Sequence, residues 1–79
     1  MGSKRNTAAF QRSFGQAVRE MRLDLDFSQE ELGFRCELDR TYISGIERGV
    51  RNPTLAVILR LSKALKAKPS HILELAESR

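Results

Sequence analysis

Arg40, Thr41, Ser44 and Arg48 are spaced so that one short helix would carry them on a single polar arc, while Ile43 and Ile46 take the opposite side. Glu47 falls near the boundary between the two. The arc lacks large apolar groups. Its side chains are suited to the edges of base pairs: arginine pairs bidentately with O6 and N7 of guanine, and Ser and Thr bond several edges or pack on a thymine methyl. Gly45, lying among them, leaves room for close approach of a partner.

A second set of residues suits phosphate, which fixes register but carries little sequence information. Gln29 stands at the start of the preceding helix, where free backbone N–H groups favour an anion. Arg35 precedes the turn, and Arg51 and Asn52 follow the polar helix. Arg48 and Arg51 suit either role; Arg51 is grouped here with the base-contact set Arg40, Thr41 and Ser44, and Arg48 with the backbone set. Tyr42 lies at the edge between the two faces. Partial core packing and a hydroxyl-to-phosphate bond are equally open to it.

Positioning such groups takes a scaffold, and the spacing predicts five helices. Phe10, Phe14, Ala17, Val18, Met21 and Leu25 form one stripe of a first helix, Ala8–Asp24. Ser28 and Glu31 form a capping box for a short second helix, Gln29–Arg35. Gly33 there predicts close packing against another helix backbone. A turn at Cys36-Glu37-Leu38 leads to Asp39, which caps a third helix, Arg40–Arg48, stopped by Gly49. Thr54 caps a fourth helix, Leu55–Lys66, and Pro69 opens a fifth, Pro69–Glu77. Residues 1–8 read as a flexible arm, and residues 9–79 as one all-α domain.

With 79 residues, 41% hydrophobic and 30% charged, the chain fits a small folded domain. One cysteine and one histidine cannot build a disulfide or a four-ligand zinc site, so no metal or cofactor is expected. Lone Cys36 fits a reducing cytoplasm. No apolar run approaches the roughly 20 residues of a membrane span. A net charge of +4 and a pI near 9.8 favour a polyanionic partner. An enzyme is rejected, because His71 and Cys36 have no partners at catalytic spacing and no phosphate-cradling loop is present.

The fourth and fifth helices carry a broader apolar arc than one small core requires. Val57, Leu61, Ile72, Leu73, Leu75 and Ala76 are therefore expected to form a homodimer interface, setting two polar helices about 34 Å apart, one DNA turn.

The run S-Q-E-E-L at Ser28–Leu32, with I-S-G-I-E-R-G at Ile43–Gly49, resembles the Cro/C1-type (XRE, phage-repressor-like) helix-turn-helix family across Phe14–Leu75. The longer string Leu38–Thr54 looks like the subgroup that includes controller proteins of restriction–modification systems. The resemblance implies a five-helix lambda-repressor-like domain that binds double-stranded DNA as a homodimer on a partly palindromic operator. It implies control of transcription, with RNA polymerase as a further partner, and no small-molecule ligand. It carries base and backbone contacts onto Gln29, Arg40, Thr41, Tyr42, Ser44, Arg51 and Asn52. It also implies a buried ion pair between Arg22 and Glu47. Glu37 departs from the glycine common in the family's turn, and Lys68 from the serine that often caps the last helix. The rival reading is an antitoxin-like protein-interaction module on the same fold. That role would place apolar anchors where Arg40, Thr41 and Ser44 stand.

Overall fold

The computed structural model describes the backbone of residues 4–79 and the side chains of residues 7–79. Five helices follow in order: α1 (Lys4–Asp24), α2 (Gln29–Cys36), α3 (Arg40–Glu47), α4 (Leu55–Ala64) and α5 (Pro69–Glu77). No strand occurs among the described residues. The helix α1 begins at Lys4, four residues ahead of the expected Ala8, so part of the expected arm is helical. The remainder of that arm, residues 1–3, lies outside the described residues.

The stripe on α1 supplies Phe14, Ala17, Val18 and Met21 to the core; Phe10, one turn earlier, is 39% exposed. Around these residues close Leu32 and Cys36 of α2, Ile43 and Ile46 of α3, Leu61 of α4, Leu65 at its end, and Ile72 and Ala76 of α5. The long first helix packs against α5 and α3, α2 bridges α3 and α4, and α4 meets α5. The helix-turn-helix pair is thus clamped from behind by α1 and from the side by α4.

Side-chain caps start three of these helices. Ser28 Oγ accepts from Glu31 N at 2.9 Å, Asp39 Oδ1 from Thr41 N at 3.2 Å, and Thr54 Oγ1 from Val57 N at 3.2 Å. Lys68, at the corresponding place before α5, makes no side-chain cap, and Pro69 starts that helix instead.

The first four helices end alike. In each, a backbone N–H just past the helix reaches back five residues, as Leu38 N does to Gly33 O at 2.8 Å and Val50 N to Gly45 O at 2.9 Å. The residue before that donor is left-handed: Asp26 (φ 60°), Glu37 (φ 58°), Gly49 (φ 78°) and Lys66 (φ 58°). Only the third of these is the glycine that such a position favours. Helix α2 therefore runs to Cys36, one residue past expectation, and α4 stops at Ala64, two residues short of it, because the chain reverses at Lys66.

Gly33 is needed for close approach, first of the turn and then of the start of α3. A β-carbon there would lie 2.6 Å from Leu38 O, so the neighbour is the turn's own backbone, with Arg40 N next at 3.5 Å.

Candidate nucleic-acid interface

Arg40 and Thr41 in the first turn of α3 are exposed, and Ser44, one turn on, is half-exposed. Arg48, which closes the helix, is exposed and donates from Nε to Ser44 Oγ at 3.2 Å. The opposite side of α3 holds Ile43 and Ile46 in the core. The amphipathic split read from spacing is the split that the fold imposes.

Glu47 is the only carboxylate in α3, and it does not face outward. Its side chain is 3% exposed and receives Arg22 Nε at Oε2 (2.6 Å) and Arg22 Nη2 at Oε1 (3.0 Å). The remaining guanidinium nitrogen donates to Phe27 O at 2.7 Å, so Arg22 ties α1, the α1–α2 turn and α3 together. Gln29 Nε2 adds a third donor to Glu47 Oε1 at 3.0 Å. With its charge met inside, α3 turns neutral and cationic groups outward, apart from Asp39 at its cap.

This network changes the place of Gln29. Expected to meet phosphate, its amide spends one N–H on Glu47 and keeps one for an outside acceptor. Beside it, Ser28 caps the Glu31 N–H, leaving the Gln29 and Glu30 N–H groups as that turn's free donors.

Arg51 and Asn52 are exposed in the loop after α3. The loop folds back: Val50 N and Arg51 N both donate to Gly45 O, at 2.9 and 3.2 Å. The Arg51 stem then lies across Gly45, where a β-carbon would sit 2.5 Å from Arg51 Cγ. The guanidinium ends 5.6 Å from the centre of the Tyr42 ring. Gly45 therefore admits the protein's own arginine and not an outside surface, contrary to the expectation of open space there. Tyr42 is half-buried, packed against the core on one side and under Arg51 on the other.

Arg35 is engaged elsewhere. Its Nε pairs with Glu31 Oε2 at 2.7 Å and its guanidinium stacks over Phe27 at 4.4 Å. It lines a groove with Gly33, Phe34, Arg60 and Lys63 instead of joining the α3 cluster.

The expected dimer set divides. Leu61, Ile72 and Ala76 are at most 1% exposed and belong to the protomer's own core, so they are unavailable to a second copy. Val57, Leu73 and Leu75 are half-buried against that core. On α4 and α5 the large apolar side chains left outside are Leu55 (84% exposed) and Leu59 (49%); Phe34, Val50, Leu23 and Phe10 are exposed elsewhere. Spacing alone placed Leu55 and Leu59 on the same broad arc as Leu61. Because both edges of that arc are apolar, nothing within α4 marked which edge faces in.

Comparisons with known proteins agree with this geometry. A helix-turn-helix family model matches residues 18–72. Control protein C.BamHI of Bacillus amyloliquefaciens is 53% identical over 62 residues, covering 77% of this chain and 76% of that protein. The restriction-modification controller protein C.AhdI from Aeromonas hydrophila superposes with a TM-score of 0.77 at 45% identity, over 78% of this chain and 94% of that one. The clp gene regulator ClgR from C. glutamicum superposes with a TM-score of 0.85 at 25% identity, over 87% of this chain and 88% of its own.

Proposed function

The chain belongs to the helix-turn-helix family, and on that premise we propose that it is a transcriptional regulator that lays α3 into the major groove of duplex DNA. The observation that carries this reading is the sorting of charge on α3. Its only carboxylate is buried against Arg22, while Arg40, Thr41, Ser44 and Arg48 stay at the surface.

In this reading Arg40, Thr41 and Ser44 meet base edges, and Arg51, laid over Gly45, extends the same surface. Arg48, Asn52, Tyr42 and the second N–H of Gln29 address the phosphates on either side. Arg35, already paired with Glu31, has no part in it.

The protein acts as an isologous homodimer on a partly palindromic operator. Leu55 and Leu59, exposed on one face of α4, are the centre of the contact, and half-buried Leu73 and Leu75 are candidates for its edge. Likeness to C.BamHI and C.AhdI supports a role as controller of a restriction–modification system; RNA polymerase at the promoter is the further partner in this proposal. No helix among the described residues is long and apolar enough to cross a membrane, and free Cys36 suits the cytoplasm.

Selection of binding sites from random duplex DNA tests the proposal. It should enrich a motif with two related half-sites; a pool that stays random after repeated rounds contradicts it.

A further inference from the structure

Arg12 belongs to none of the contacts assigned so far, yet α1 carries it to the end of α3. Gly49, in the left-handed turn that closes α3, has no side chain, and the vacated side is filled by Arg12. A β-carbon at Gly49 would lie 2.6 Å from Arg12 Cγ and 2.9 Å from its Cα. The preceding residue fastens the same place, since Gln11 Nε2 donates to Gly49 O at 2.9 Å. Farther along, Gln11 lines one small cleft with Asn52 and Pro53, so this turn of α1 flanks the loop that carries Arg51 and Asn52.

The stem of Arg12 is therefore held, while its head is exposed. No ion pair or side-chain hydrogen bond engages it among the described residues. Nor does its helix offer a counter-charge nearby: from Lys4 to Arg19, α1 contains four basic residues and no Asp or Glu, the first carboxylate being Glu20. An unpaired guanidinium seated against the turn between Arg48 and Arg51 has the features of a phosphate anchor. It is cationic, forked, and oriented by packing instead of by another charge.

We infer that Arg12 is a DNA-backbone contact, binding a phosphate next to the one addressed by the loop after α3. This rests on the DNA-binding reading above and adds a contact from outside the helix-turn-helix. The ligand is the phosphodiester itself, so Arg12 contributes to affinity on every sequence and to specificity on none.

The test measures the affinity of the full-length protein for its selected operator and for a random duplex, by fluorescence anisotropy across a salt series. Arg12→Met keeps the stem over Gly49 and removes the charge; Arg12→Gln is a second neutral variant, and Arg12→Lys restores the charge. The slope of log affinity against log salt should fall by about 0.9 for each protomer bound in the neutral variants. Both duplexes should lose affinity by the same factor, and Arg12→Lys should recover most of the slope. Folded neutral variants with an unchanged slope, or with weakened binding to the operator alone, would overturn the assignment to Arg12. If the wild-type protein binds neither duplex, the failure lies in the DNA-binding reading beneath it.

Discussion

Arg22 Nε and Glu47 Oε2 lie 2.6 Å apart inside the protein, joining the first helix to the base of the third. Such a pair is held in place more than it holds the fold up. Desolvating two charges costs nearly what their attraction returns, but one charge left alone is far worse. Glu47→Gln should therefore destabilise by roughly 3–5 kcal/mol, and Arg22→Met by a similar amount. The double variant Arg22→Met, Glu47→Leu should be much closer to wild type. Urea unfolding of all four proteins checks this, and equal losses in the single and double variants would contradict it.

Glu37 occupies a left-handed position at the end of α2, with φ 58°. A residue with a β-carbon is strained there by about 1–2 kcal/mol, and glycine avoids the strain while gaining unfolded-state entropy. Glu37→Gly should be net stabilising by about 0.5–1 kcal/mol. Lys66→Gly should behave alike. Thermal unfolding reads both, and operator affinity of Glu37→Gly should not fall.

Gly45 and Arg51 form a unit. Gly45→Ala places a methyl 2.5 Å from Arg51 Cγ, and the exposed arginine yields by swinging away from Tyr42. Stability should change by less than about 1 kcal/mol, since alanine favours the helix. DNA affinity should drop to the level of Arg51→Ala. An affinity equal to wild type would show that the placement of Arg51 over α3 has no role in binding.

On α4 the two kinds of leucine should part company. Leu61→Ala hollows the core and should cost about 2–5 kcal/mol. Leu55→Lys leaves the protomer folded, because the side chain is 84% exposed, and should shift the monomer–dimer balance toward monomer. Sedimentation equilibrium at micromolar protein separates the two outcomes.

Burial pushes the Cys36 thiol above its ordinary range, against the opposing effect of the Arg60 guanidinium. A raised value in the folded protein means that the fold favours the neutral thiol. The stability Cys36 contributes is full below the ordinary thiol range and is lost as pH rises through the folded value. The stability advantage of wild type over Cys36→Ala should therefore shrink on the alkaline side, in urea titrations at stepped pH.

Legibility in the sequence differs from element to element. Capping residues Ser28, Asp39 and Thr54 mark three helix starts, because a cap bonds locally and needs no tertiary context. The two faces of α3 were legible for a similar reason, being set by helical spacing alone. The ends of α2 and α4, at Glu37 and Lys66, were not, since neither carries the glycine that announces a left-handed turn. Misassignment of Leu61, Ile72 and Ala76 came from a broad apolar arc whose inward edge is chosen by neighbouring helices. Arg12 was invisible because its meaning lies in contact with Gly49, 37 positions away in the chain.

The central claim is that the outward flank beginning at Arg40 reads the major groove. Methylation interference on the selected operator tests it most directly, because a methyl on guanine N7 blocks that groove alone. Interference is expected at guanines in both half-sites, with at least one position released in Arg40→Ala. Interference confined to adenine N3 in the minor groove, or a pattern unchanged by Arg40→Ala, would contradict it.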